Sequence, residues 1–263
     1  MKVRTAILGA ASAIALSAVS ATAALAGGNF SGTLDASYGH ISGSGSDANL
    51  WGVSGAGVFN VNSSAWNIGL NVGYANLDGS GLSADTWGFG GNAFYRGEKG
   101  RLGVVVGYTS SDAGFGTFHA TNYGVGGEWW ANKMWTFAAK GGGFSGSGSL
   151  DGYYLGGQLT GYVCPDVGIS GTVDYAHLSG GLSETDYGVK AEWLVSETTP
   201  ISVWGGYTGT DFNGFGSSGT ISTWSIGLTF YTNGDSTAQT LVDRQRSGTL
   251  GWAGSFSPLA LKL

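Results

Sequence analysis

The sequence predicts an all-β fold, a transmembrane antiparallel up-and-down β-barrel of about twelve strands, and three observations predict it. First, one phrase recurs six times: an apolar strand running into an aromatic residue, a Gly/Ser/Asp stretch, and a returning strand. Tyr38, Tyr74, Tyr108, Phe144, Tyr175 and Tyr207 close the outgoing strands, and Trp51, Trp87, Tyr123, Tyr153, Tyr187 and Trp224 open the returning ones. Second, the strands alternate. In Trp66 to Tyr74 the residues Trp66, Ile68, Leu70, Val72 and Tyr74 share one face, and Asn67, Gly69, Asn71 and Gly73 the other. Third, only 11% of residues are charged, against about 25% in soluble domains, as expected when half of each strand faces lipid.

The chain opens with Lys2 and Arg4, a small apolar stretch from Ala6 to Ala23, and Ala24-Leu25-Ala26, an A-x-A cleavage site, so residues 1-26 read as a signal peptide. Residues 27-231 form the barrel. Arg101 to Tyr108 and Val167 to Tyr175 repeat the alternation of the Trp66 strand. Nine to eleven residues per strand is about what a tilted spanning strand needs. Aromatics mark both ends of the strands as girdles do; the inner band holds Phe59, Trp66, Tyr95, Trp129, Trp130, Trp135, Trp193 and Phe230. Strand Trp135 to Phe144 breaks the pattern, because Lys140 falls on the face of Phe144, and a bulge or register shift is expected there. Tight inner turns lie at Asn62 to Ser64, Gly97 to Gly100, Asn132-Lys133, Cys164 to Asp166 and Ser196 to Pro200. Longer outer loops are expected over Gly43 to Asn49, Asp78 to Asp85, Ala113 to His119, Ser145 to Gly152, Ser179 to Asp186 and Asn213 to Gly219. Trp224 to Tyr231 is the last strand. Residues 232-263 form a C-terminal tail, with Asp243-Arg244-Gln245-Arg246, that either hangs in the periplasm or folds into the lumen as a plug.

Charge then divides the barrel. The outer loops and strand ends carry Asp47, Asp78, Asp85, Asp112, Asp151, Glu184, Asp186 and Asp211 and no Lys or Arg, whereas Arg96, Lys99, Arg101 and Lys133 lie at inner turns. Such an acidic mouth concentrates cations and opposes anions. It also suits divalent ions bridging to the phosphates of outer-membrane lipids and lipopolysaccharide, although no loop has EF-hand spacing. The inward residues are mainly Gly, Ser, Thr, Asn and Ala, too small to fill a twelve-stranded lumen. Asp35, Arg96, Arg101, Glu128, Gln158, Asp174, Lys190 and Glu192 punctuate that face as candidate pore-lining groups, which either set ion preference or pair across the lumen and close it.

On the hairpin period, alternation and girdles of residues 27-231, the chain resembles the small porin-like outer-membrane barrels of Gram-negative bacteria, in the broad superfamily that includes the OmpA-type transmembrane domain. The resemblance implies an outer-membrane location, handling by the outer-membrane assembly machinery, and passive diffusion of small solutes, with the acidic mouth favouring cationic or neutral ones. A closed structural or adhesion barrel acting through its loops is the alternative. Two departures stand out: OmpA-type barrels have about eight strands, and a tail follows the aromatic end of the last strand here. Outer-membrane phospholipases and lipid A deacylases use a His-x-Ser pair, which His177 and Ser179 look like. The same phrase recurs as His40-Ile41-Ser42 in the first repeat, and Gly180 stands where the phospholipases have Asn. That pattern reads as an inherited girdle motif, so no catalytic residues are assigned and the chain is expected not to be an enzyme. No cofactor motif, zinc spacing or basic stripe for nucleic acid is present, and the single Cys164 has no intrachain partner.

Overall fold

A computed structural model describes residues 30–43, 46–61, 64–79, 82–113, 116–147, 151–214, 217–233 and 239–250. The signal-peptide segment 1-26 lies outside the described residues. The alternating stretches become strands β1 (Phe30–Gly43), β2 (Ser46–Asn60), β3 (Trp66–Gly79), β4 (Leu82–Gly97), β5 (Gly100–Ala113), β6 (Gly116–Asn132), β7 (Trp135–Gly146), β8 (Gly152–Cys164), β9 (Val167–Leu178), β10 (Leu182–Leu194), β11 (Ile201–Gly214) and β12 (Ser217–Asn233). Each strand pairs antiparallel with its sequence neighbours, and β1 closes the ring on β12, with Tyr38 opposite Ile226. Closure leaves no sheet edge, so every strand finds its backbone partners within the wall, as a hydrocarbon environment requires. An even strand number brings both ends of the barrel to the rim that holds the inner turns.

Residues directly opposite each other share a face, so one face can be traced around the ring. Trp66, Leu70, Phe89, Val104, Tyr123, Val125, Leu155, Val173, Trp193 and Ile226 are large, apolar and exposed, which marks the outer face. From Trp66 to Tyr74 the strand climbs about 27 Å, or roughly 20 Å along the barrel axis at a tilt near 40°, close to an outer-membrane apolar band. Neighbouring girdle rings touch across strands: Trp66 and Tyr95 at 5.8 Å, Trp51 and Tyr74 at 5.2 Å, Tyr207 and Trp224 at 4.8 Å.

The structure corrects several expectations. Strands run 12 to 17 residues rather than nine to eleven. Much of the expected outer loops is strand instead: β1 pairs with β2 up to Gly43 opposite Ser46, and β3 with β4 up to Gly79 opposite Leu82, whereas β7 ends at Gly146 and β8 begins only at Gly152. Gly, Ser and Asp read as loop by composition, but ladder bonds between neighbouring strands outweigh that local preference. The expected asymmetry of connection lengths is absent: the inner β4–β5 and outer β1–β2 connections are equally short, and the longest, residues 195–200 between β10 and β11, is an inner one. Barrel strand continues to Asn233, past the expected end at Tyr231.

Two aromatics leave their girdles. Phe144 is buried and faces inward, opposite Asn122, and Trp130 also faces inward, opposite Thr136. The register shift between Trp130 and Asn132 places the irregularity at the inner end of the β6–β7 pair rather than inside β7. Lys140 is thereby an ordinary inward residue. A second shift, between Tyr162 and Cys164, interrupts the β8–β9 pair at the same rim.

Candidate functional site in the barrel lumen

Small inward residues keep the upper lumen wide. Three asparagines lie flat on the wall because the position across from each is glycine: a Cβ at Gly90, Gly69 or Gly107 would collide with the amide of Asn71, Asn92 or Asn122. The result is a cavity of about 570 Å³. Glycines, apolar residues and uncharged polar groups share its lining, the last including Thr33, Ser37, Ser54, Asn71, Asn92, Thr109 and Asn122, with Asp35, Lys190 and Thr249 also bordering it.

Each of the eight candidate pore-lining residues occupies an inward position, and the fold gathers most of them into three groups. Arg101 Nη2 donates to both carboxylate oxygens of Glu128, at 2.8 and 2.7 Å, and Arg96 lies directly opposite Arg101 on β4. Lys190 pairs with Glu192 at 2.8 Å and lies 4.9 Å over the Trp204 ring. Glu192 is buried and also accepts from Ser202 and Tyr231, both at 2.6 Å, while Asp35 accepts from Thr229 at 2.5 Å. In the third group Asp174 pairs with Lys140 at 3.1 Å. Gln158 stands apart and donates to Thr160 at 3.2 Å.

The eight acidic groups assigned to outer loops divide. Glu184 and Asp186 face the lumen, opposite Ala176 and Asp174 of β9, and Asp186 accepts from Thr210 at 2.5 Å. They belong with Lys140 and Asp174, a grouping hidden in the sequence because Ser179 to Asp186 reads as a loop and not as the start of β10. Asp47, Asp78, Asp85, Asp112 and Asp211 lie at outer strand ends on the lipid-facing parity, and Asp151 in the connection before β8. Asp85 accepts from Tyr74 at 2.5 Å and Asn76 at 2.8 Å, and Asp211 from Thr220 at 2.7 Å. Apart from Glu184 and Asp186, these carboxylates form an outward collar above the girdle rather than a lining of the mouth. The inward face at this end carries two apolar clusters, one around Leu77, Ala84 and Ala113 and one around Phe144, Tyr154 and Leu178.

The tail supplies what the wall lacks. Residues Leu241–Ser247 form a short helix, α1, whose Thr240 side chain accepts from Asp243 N–H while Asp243 caps the Thr240 amide in return. The Thr-x-x-Asp pattern at Thr240 was the sequence signal for it. Leu241 packs with Leu194 and Tyr231, and Leu250 with Val58, Phe94 and Val105 on the opposite wall; both leucines are fully buried. Burying each contributes about 1.5–3 kcal/mol. Arg96 Nη2 donates to the carbonyls of Ser247 and Gly248 at 2.8 and 2.7 Å, and Arg101 Nη1 to Gly248 at 2.7 Å. Gln245 bridges Tyr162 at 2.7 Å and Glu192 at 3.2 Å, while Arg246 reaches the Asn132 carbonyl at 2.7 Å and stacks over Trp130. Burial lowers the pKa of Arg244 and of Arg246, and Asp243 opposes the shift in both; each guanidinium stays charged.

His177 points outward near the end of β9, opposite Tyr153, and Ser179 lies in the turn just past that strand. The His177 ring lies 5.5 Å from that of Tyr153, and the Ser179 hydroxyl accepts the Asp151 N–H at 3.1 Å. Tyr108 and His119 repeat the Tyr–His contact at 5.9 Å, which fits a girdle motif. Among the described residues no group of three or more His, Cys, Asp or Glu side chains could hold a metal ion.

No protein-family model matches the sequence, and no curated protein matches it. Solved structures match by shape. The NanC porin is 14% identical, with 75% of this chain and 98% of that one covered and a TM-score of 0.54. An outer-membrane channel from Pseudomonas putida F1 is 11% identical over 78% and 96% of the two chains, also with a TM-score of 0.54. The fold is that of the outer-membrane porin-type β-barrels. The KdgM porin, in complex with disordered oligogalacturonate, is 10% identical over 74% of this chain and 98% of that one, with a TM-score of 0.50.

Proposed function

We propose that the chain is an outer-membrane channel of a Gram-negative cell, exported by its signal peptide, through which small cationic or neutral solutes diffuse passively. The observation that carries this reading is the cavity of about 570 Å³, lined mainly by small residues, inside a closed wall. Glycines such as Gly90 and Gly107 let the asparagines lie against the wall, which keeps their side chains out of the middle of the lumen. The preference rests on inward charge: Asp35, Glu128, Asp174, Glu184, Asp186 and Glu192 outnumber Arg96, Arg101, Lys140 and Lys190. The matched proteins are described as porins and a channel, which supports passage. KdgM was seen with an anionic saccharide, whereas carboxylates outnumber bases in this lumen, so passage is carried over and that solute is not. The outward carboxylate collar would meet lipid phosphates through divalent cations. A closed structural barrel is the second reading, favoured by the filled inner end of the lumen.

Planar-bilayer recording tests the proposal on the full chain and on a chain ending at residue 238. Discrete openings with potassium preferred over chloride are expected in at least one form. The preference should fade between about 0.1 and 1 M salt, as the Debye length falls from roughly 10 to 3 Å. Silence of both folded forms would overturn the channel and leave the structural barrel.

A further inference from the structure

We infer that the inner end of the lumen is a seat for the chain's own residues 239–250, and that this segment gates the channel by leaving it. The inference rests on the channel reading above. Three features support it.

The wall is complete without the segment. The β1–β12 ladder runs from Ser31 opposite Asn233 to Gly43 opposite Ile221, and α1 adds no strand to it. Unseating therefore breaks no sheet, and the barrel survives it.

The seat is nevertheless specific. In a lumen lined mainly by Gly, Ser, Thr, Asn and Ala, the inward Val58, Phe94 and Val105 form an apolar patch on one wall, and Leu250 fills it. Leu241 fills the matching place beside Leu194 and Tyr231 on the other wall, so the segment crosses the lumen between two anchors. Between them lies the polar grip. Arg96 and Arg101 hold the backbone carbonyls of Gly248 and its neighbours, and Ser31 Oγ donates to the Ser247 carbonyl at 2.7 Å.

The grip also suits release. It holds backbone carbonyls with groups that line a polar lumen, so water can take the place of each carbonyl when the segment departs. Thr249 borders the 570 Å³ cavity, which puts the seated segment between that cavity and the inner rim. Departure would join the two.

The test combines conductance with thiol accessibility, in a Cys164→Ser background so that a single introduced thiol reports. Leu250→Asp puts a charge into the apolar patch while leaving the wall untouched, and a chain ending at 238 removes the segment outright. Both variants, checked as folded by heat-shifted SDS mobility, should conduct at least about threefold more than the full chain. Ser247→Cys should react with a maleimide slowly but completely in the full chain, and about tenfold faster when Leu250→Asp is added. If the shortened chain fails to fold, Leu250→Asp alone decides. Equal conductance in all folded forms overturns the gate and leaves the channel standing. So does a Ser247→Cys thiol that never reacts, or one that reacts equally fast in both backgrounds. If every folded form is silent while thiol reactivity still rises with Leu250→Asp, the seat exists, but the channel fails and the gate with it.

Discussion

Arg101→Met should be among the most destabilising single substitutions in the barrel. The Arg101 side chain is 2% exposed and that of Glu128 8%, and two bonds of 2.8 and 2.7 Å join them. Losing the guanidinium strands a buried carboxylate, which costs about 3–5 kcal/mol. It also removes one of the two guanidinium donors to the Gly248 carbonyl, which keeps its bond from Arg96. A cost of about 4 kcal/mol is roughly a thousandfold in the folding equilibrium. Glu128→Gln should cost less, because Arg101 keeps its bonds to the tail. Arg101→Met combined with Glu128→Leu should recover most of the loss, since no buried charge remains. Urea unfolding in lipid vesicles, followed by tryptophan fluorescence and heat-shifted SDS mobility, gives the order of the three. If Arg101→Met lies within about 1 kcal/mol of the parent, lumen water reaches Glu128 and the pair is not a buried one.

Three further outcomes are expected. Lys140→Met removes the base beside Asp174 and makes that level of the lumen, which also carries Glu184 and Asp186, more negative by one charge. Potassium preference in the conducting form should rise about twofold, and a fall would place the selective site elsewhere. Ala56→Trp, at an inward position bordering the 570 Å³ cavity, should cut single-channel conductance by about half without changing SDS mobility; unchanged conductance would mean ions bypass the cavity. Cysteines at Asp78 and Lys99 report orientation: with Cys164 replaced, the thiol at 78 should label on intact cells and the one at 99 should not, and the reverse pattern would invert the barrel.

The sequence carried the number of strands, their alternation and the place of most lumen charges. Those follow from local rules: a strand has period two, and a hairpin repeat betrays itself by its spacing. Asp35, Arg101, Glu128 and Glu192 could be placed inward because each sits in step with small residues on its own strand. The acidic positions Glu184 and Asp186 could not, because Gly, Ser and Asp look like loop until a neighbouring strand supplies ladder bonds. Lys140 does share the face of Phe144, but that face is the inward one, so the aromatic of the fourth repeat is not a girdle residue. Its true side follows from a register shift at the distant inner turn between Trp130 and Asn132.

The tail marks the boundary most clearly. Its Thr240–Asp243 cap is local and present in the sequence, yet nothing local decides between periplasm and lumen. Leu250 meets Val58, Phe94 and Val105, and Arg96 and Arg101 meet the Ser247 and Gly248 carbonyls, across about 145 to 190 residues of chain. No periodicity encodes such a contact, because the seat does not exist until the β1–β12 ladder closes the ring. Local pattern determined the wall, and only closure of the ring decided what fills it.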